Sequence, residues 1–280
     1  MDFVIVGGGP TGVELAGALT ELKKNAFRKD YPELDMREMD IYLVQASDRL
    51  LDGMSQQASD KALKFLTKMG VKVLLNTAVK SYEGQEVLLS TGQKLNSRSL
   101  IWAAGVKGAP IHGFDPTAIG RGNRLLTNEF SQVKGYENIF AIGDVALMQG
   151  DDKFPQGHPQ MAPPAQQQGK LVAKNIGNII NKRKLLPFSY FDKGSMATVG
   201  RNKAVVDLKG GIKFQGLFAW YVWMFVHLFS IIGFKNKILT LFSWMISYFS
   251  YDRSNRLIIG RNEEKNLQAE IKVEADAKQS

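Results

Sequence analysis

A four-residue apolar run, Phe3-Val4-Ile5-Val6, leads without a break into Gly7-Gly8-Gly9-Pro10-Thr11-Gly12, and no other feature of the chain constrains its fold as much. The run reads as a buried strand. Gly7, Gly9 and Gly12 have G-x-G-x-x-G spacing, and a long helical pattern follows, which is the context in which such a loop holds a dinucleotide pyrophosphate. Each glycine has its own reason: Gly7 allows the tight turn out of the strand, and Gly9 lets backbone N–H groups approach a pyrophosphate. Gly12 lets the helix lie close on the strand, with the positive end of its dipole toward the ligand. Glu14 falls in the first turn of this helix. A carboxylate is favourable there on electrostatic grounds alone, so position does not separate a structural role from a chemical one.

The pattern then alternates. Strands are predicted at Phe3–Val6, Ile41–Val44 and Val71–Leu75, with helices from Thr11 to about Arg28 and from about Ser55 to Met69, the second stopped by Gly70. A meander of short antiparallel strands over Tyr82–Ser97 and a strand at Leu100–Trp102 complete an α/β pattern of the Rossmann type, a parallel sheet with helices on its faces. The carboxylate that usually takes the adenosine ribose 2′-hydroxyl at the end of the second strand is absent, and Gln45 stands there instead. A glutamine can bond that hydroxyl but does not repel a 2′-phosphate. Arg49 is near enough in sequence to meet such a phosphate if the loop folds back. NADH is therefore favoured over NADPH without excluding it, and Gln45 also reads as an ordinary polar strand end.

A second signature is Asn138-Ile139-Phe140-Ala141-Ile142-Gly143-Asp144-Val145-Ala146, where a strand ending in Gly-Asp sets a carboxylate on a tight turn that can accept hydrogen bonds from a sugar-alcohol chain. Together with Ile101-Trp102-Ala103-Ala104-Gly105-Val106 it gives the pattern of two-dinucleotide flavoproteins. Strand-like islands are predicted at Arg124–Thr127 and Ile139–Ile142, a helix over Pro163–Asn181, and a hairpin within Tyr190–Leu208 turning at Gly200-Arg201-Asn202.

From Phe3 to about Gly260 the chain resembles the type II NADH:quinone oxidoreductases, on the Gly7–Gly17 loop, Trp102–Val106, Asn138–Ala146, Ala165–Gly169 and an aromatic C-terminal block. The resemblance implies a Rossmann-like NAD-binding domain, the C-terminal part of an FAD-binding domain and a helical membrane-associating region. It implies FAD and NADH as cofactors and a quinone of the respiratory chain as acceptor. Glu14 matches the family's acid between nicotinamide and flavin, the Ala104-Gly105 turn marks the crossover to the FAD domain, and Gly143-Asp144 contacts the flavin ribityl region. Gln167 matches the second of two glutamines beside the flavin at the quinone end; the first is replaced by Pro163. The loop that would cradle the FAD pyrophosphate is expected in sequence preceding Met1, which makes the chain a fragment. Two rivals stand beside this reading: a soluble NAD(P)H-dependent flavin reductase with another acceptor, and a truncated NAD(H)-binding protein without activity.

Charge distribution separates the C-terminal region from the rest. Of a net charge of +9 over 280 residues, seven charges lie between Arg201 and Arg261, together with three of the four tryptophans. Residues 214–234 are 21 uncharged positions that include Trp220, Tyr221, Trp223, Phe225 and Phe229, and 238–251 are fourteen more, in which Thr240, Ser243, Ser247 and Ser250 form a polar stripe. Arg253, Arg256 and Arg261 close the block. A membrane-spanning hairpin, a buried core pair and two amphipathic helices lying in one leaflet all fit such a block. The third fits the flanking cations best and agrees with the resemblance, which implies a monotopic association with a lipid surface, at the cytoplasmic face of the inner or plasma membrane. Aromatic helices without a nucleic-acid module argue against nucleic acid as a partner, and a homodimer is compatible. The lack of cysteine and the scattering of His112, His158 and His227 argue against a metal site. The expected domains are 1–104 for NAD(P)H, 105–185 for the FAD return, 186–262 for membrane anchoring and 263–280 as a frayed polar tail.

Overall fold

Strand β1 (Phe3–Val6) is buried on both faces because its apolar side chains alternate between two cores: Ile5 points to one, Val4 and Val6 to the other. It lies at the middle of a parallel sheet in the order β3-β2-β1-β7, with β2 (Ile41–Val44), β3 (Lys72–Leu74) and β7 (Ser99–Trp102). The computed structural model describes residues 2–231 and 233–250; the expected tail over 263–280 and the cap of Arg253, Arg256 and Arg261 lie outside the described residues.

Helix α1 (Pro10–Leu22) begins with proline at its first turn, where no intrahelical N–H is needed. It continues through a π-helical turn, Lys23–Phe27, into the short α2 (Arg28–Asp30). Helix α3 (Gln56–Met69) is capped by the Ser55 hydroxyl, which accepts the Ala58 N–H, and ends on Gly70 in the left-handed conformation at φ 94°. Both helices cover the Ile5 face, through Val13, Ala16, Ala62 and Leu66. The opposite face, Val4, Val6 and Val44, packs on Val87, Leu89 and Leu95 of an antiparallel meander of β4 (Val79–Glu83), β5 (Glu86–Leu89) and β6 (Lys94–Asn96).

After β7 the chain builds a small sheet of β8 (Ile119–Gly120), β9 (Arg124–Thr127) and β10 (Ala146–Met148), and then helix α4 (Ala162–Ile180). The strand predicted at Ile139–Ile142 does not form. Phe140 makes one isolated bridge to Gln132, because the segment turns at once into the Gly143–Val145 helical turn and has no neighbouring strand to complete a ladder.

An antiparallel sheet of β11 (Gly194–Gly200), β12 (Lys203–Leu208) and β13 (Lys213–Gly216) follows. The predicted hairpin is β11–β12; β13 was not foreseen, because its polar residues Lys213 and Gln215 alternate with Phe214 over only four positions. This sheet is two-sided. Ala197, Val199 and Val205 join the α1–α3 core, and Ala204 and Val206 meet Ala219, Trp220 and Trp223 of helix α5 (Leu217–Ser230). The described part of the chain clusters into two compact units divided between His227 and Leu228. The second contains helix α6 (Phe234–Ser250).

Candidate functional site

The loop between β1 and α1 sits where a dinucleotide loop belongs, at the carboxyl edge of the parallel sheet. Gly7 adopts φ 110°, and a Cβ there would lie 2.6 Å from the Ala103 carbonyl oxygen. A Cβ on Gly12 would fall 1.8 Å from the Gly7 oxygen, so close packing of helix on strand demands glycine at both positions. Gly9 differs: its φ of −71° suits any residue and a Cβ would meet nothing within 4 Å. Protein packing does not require glycine there. In the first turn of α1, Pro10 has no N–H and Val13 donates to the Gly9 carbonyl at 3.0 Å, which leaves the Thr11 and Gly12 N–H groups without an intrahelical acceptor.

Gly8 was not separated from the other glycines by sequence reasoning, yet it is the best held of them. Its N–H donates to Gln45 Oε1 at 2.6 Å, and its carbonyl accepts the Leu51 N–H at 2.8 Å. A Cβ at Gly8 would lie 2.6 Å from Leu50 Cδ2. Segment 45–52 therefore lies over the loop as its wall. The Gln45 amide nitrogen donates to Ser47 Oγ at 2.5 Å and Asp52 Oδ2 at 3.1 Å. Arg49 folds back as its sequence position allowed, but its Nη2 donates to the Asp52 carbonyl at 2.6 Å and its Nη1 to Gln56 Oε1 at 3.1 Å.

Glu14, half-buried on α1, accepts the Thr198 N–H of β11 at 3.1 Å. One turn further along, a Cβ on Gly17 would fall 2.1 Å from the Val199 oxygen, and Glu21 accepts the Arg201 N–H. A line of contacts along α1 thus fastens the helix that opens the nucleotide loop to the C-terminal sheet. Asp207 of β12 adds a second attachment, accepting the N–H and hydroxyl of Ser55 at 2.6 and 2.9 Å, at the start of α3.

Continuing from β7, Ala103 N–H donates to Val6 at 2.7 Å, and Ala104 and Gly105 (φ 95°) follow, exposed, beside the glycine loop. Gly143 turns at φ 68°, and its N–H is held at 2.7 Å by the amide oxygen of Gln168, which is 3 % exposed. Sequence reasoning missed this role of Gln168, since nothing in the Gln166-Gln167-Gln168 run says which member turns inward. Asp144 is exposed beside that turn, and its carbonyl accepts the Gln160 amide at 2.9 Å. Buried Arg124 donates to the carbonyls of Ala146 and His158. Burial pushes this guanidinium below its ordinary value, against the opposing pull of the Asp144 carboxylate.

Gln167 is half-buried and exchanges two hydrogen bonds of 3.0 Å with the backbone of Phe191. Asn175, fully buried, does the same with Leu186 at 2.9 Å, and Asn178 donates to the Lys184 carbonyl. The amides of α4 therefore fasten the returning extended segment along the helix. His227, on α5, bonds the Trp223 carbonyl at 2.7 Å and stacks on the Trp223 ring at 4.0 Å. No group of three or more metal-ligating side chains occurs among the described residues.

Residues 1–169 match the family model "Pyridine nucleotide-disulphide oxidoreductase", and residues 193–252 match the "NDH2 C-terminal domain". Among similar proteins, the type II NADH:quinone oxidoreductase NdhA of Mycobacterium tuberculosis is 34 % identical over 92 % of this chain and 56 % of its own length. The internal alternative NAD(P)H-ubiquinone oxidoreductase A1, mitochondrial, of Arabidopsis thaliana is 30 % identical over 89 % of this chain and 51 % of its own. The chain spans about half the length of these relatives. In fold it is similar to NDH2 from Plasmodium falciparum solved in complex with NADH, with a TM-score of 0.80 at 19 % identity over 89 % of this chain and 66 % of that one.

Proposed function

The chain belongs to the pyridine nucleotide-disulphide oxidoreductase family, in its type II NADH:quinone oxidoreductase branch, and from that premise we propose that it carries the NADH-binding half and the flavin-facing return of such an enzyme. One observation carries this reading: Gly7 and Ala103 pack so closely that a side chain between them would overlap the Ala103 oxygen at 2.6 Å. The nucleotide loop and the crossover toward the Gly143-Asp144 turn therefore share one edge of the sheet, as transfer between two stacked cofactors requires.

The chain's groups divide the work. The N–H groups of Gly9, Thr11 and Gly12 take the pyrophosphate of NADH, those of Gly7 and Gly8 being bonded to Val44 and Gln45. Glu14, held by the Thr198 N–H, positions the nicotinamide and balances charge. Gly143 and Asp144 fit a flavin: the turn is pre-set by Gln168 and the Asp144 carboxylate is exposed to accept the hydroxyls of a sugar-alcohol chain. When bound, FAD supplies the two-electron relay from NADH to a quinone. Gln167, through Phe191, shapes the quinone end. The place of work is a lipid surface, on the cytoplasmic face of the inner or plasma membrane, and a second copy is a compatible partner.

The test uses the purified chain, supplied with FAD in solution and mixed anaerobically with NADH. Reduction of the flavin on NADH addition is expected, together with electron delivery to a soluble quinone, and Glu14→Gln slows that reduction strongly. Wild-type rates in that variant would remove Glu14 from the mechanism. A flavin that stays oxidised while the chain binds NADH would restrict these residues to nucleotide binding.

A further inference from the structure

The end of β2 lacks the carboxylate expected there, and Gln45, which occupies that position, is engaged with the protein at both ends of its amide. Its oxygen is committed to the Gly8 N–H at 2.6 Å. Its nitrogen points instead to Asp52, seven residues further on, at 3.1 Å, and the Ser47 hydroxyl donates to the same Asp52 oxygen at 2.8 Å. Two donors thus fix one carboxylate oxygen. The other, Oδ1, faces Arg49 Nε at 3.6 Å, beyond hydrogen-bond distance, and the side chain is 51 % exposed. Left-handed Leu51 (φ 52°) and its N–H bond to the Gly8 carbonyl hold this segment against the glycine loop.

We propose that Asp52, presented by Gln45 and Ser47, is the carboxylate that accepts the adenosine ribose hydroxyls, and that it sets a preference for a dinucleotide with a free 2′-hydroxyl over one carrying a 2′-phosphate. The acid has moved from the strand end to the loop, and the glutamine at the strand end is its holder. Arg49, the cation that could have welcomed a 2′-phosphate, is bonded to the carbonyls of Asp52 and Met54 and to Gln56. The inference rests on the reading of the Gly7–Gly12 loop as an NADH site.

Direct titration of the purified chain with NADH and with NADPH, followed by nucleotide fluorescence, tests it without turnover. Asp52→Asn keeps the size of the side chain and removes the charge. It should weaken NADH binding and shift the affinity ratio toward NADPH by about tenfold, the scale of one charge facing a phosphate at the surface. An unchanged ratio with both nucleotides bound would overturn the assignment of Asp52 alone. Failure of either nucleotide to bind the unaltered chain would overturn the underlying site as well. The unaltered chain gives an independent readout: salt screens repulsion, so NADPH affinity relative to NADH should rise with ionic strength. A relative affinity that falls with salt, or a selective loss of NADPH binding in Arg49→Gln, would mean that a cation reads the phosphate and would reject the proposal.

Discussion

Gly9 and Gly12 stand three residues apart and answer to different neighbours. Gly12 faces the Gly7 carbonyl oxygen, where a methyl group would arrive at 1.8 Å, whereas Gly9 faces open space in an extended conformation. Gly12→Ala should therefore cost about 1–3 kcal/mol through overpacking, and nucleotide affinity with it. Gly9→Ala should leave stability within about 0.5 kcal/mol and still lose NADH affinity. Urea unfolding midpoints and NADH titration of both variants separate the two roles; a Gly9→Ala chain that is markedly destabilised would contradict the distinction. The loop itself is legible in the sequence because strand, glycine spacing and helix are contiguous. The assignments of Gly8 to Leu50, of Gln45 to Asp52 and of Gln168 to Gly143 are not, since each depends on which of several polar or small residues the tertiary fold turns inward.

Helix α4 and the loop before it work as one element. Within that loop Asp151 bonds buried His158 across 2.9 Å, and His158 packs edge-on to Phe188 and Tyr190. Desolvation pushes the Asp151 carboxyl up, but the His158 bond and the Lys153 N–H outweigh it and hold the group below its usual range. A carboxylate lowered in this way adds stability that is complete above the usual aspartate value of about 3.9 and is lost as pH falls through the lower folded value. The difference in unfolding free energy between the unaltered chain and Asp151→Asn should thus be largest above about pH 5 and shrink toward acid, as read from urea midpoints at a series of pH values. A difference that grows toward acid would assign the stabilisation elsewhere. Helical spacing made α4 legible, with its ends placed within a residue or so. The segment it fastens was not, because Leu186 and Phe191 are held by amides from the helix rather than by any strand pattern of their own.

Across the first compact unit, four layers stack upon one another: meander, parallel sheet, α1 with α3, and the C-terminal sheet, with the start of α5 on its outer face. Sequence alternation foretold the first three; the two-sided burial of β12 was hidden in the short run Ala204-Val205-Val206. The outward residues of α5 include Phe218, Tyr221 and Phe225, and α6 in the second unit exposes Phe234, Phe242, Ile246 and Phe249. No helix among the described residues is long and apolar enough to cross a membrane. Burial of such side chains in a lipid interface stabilises by roughly 1.5–3 kcal/mol each. Phe225→Glu and Phe242→Glu should each lower partition of the chain onto anionic vesicles by about tenfold or more, measured by flotation, and undiminished binding would point to another use for these faces. Helix α1 carries a different consequence. Gripped through Gly12 on the Gly7 oxygen and through Gly17 on the Val199 oxygen, it has no slack along its axis. A shift of the helix at its loop end would press Gly17 on the Val199 carbonyl, so the position of the glycine loop and that of β11 are set by one line of contacts.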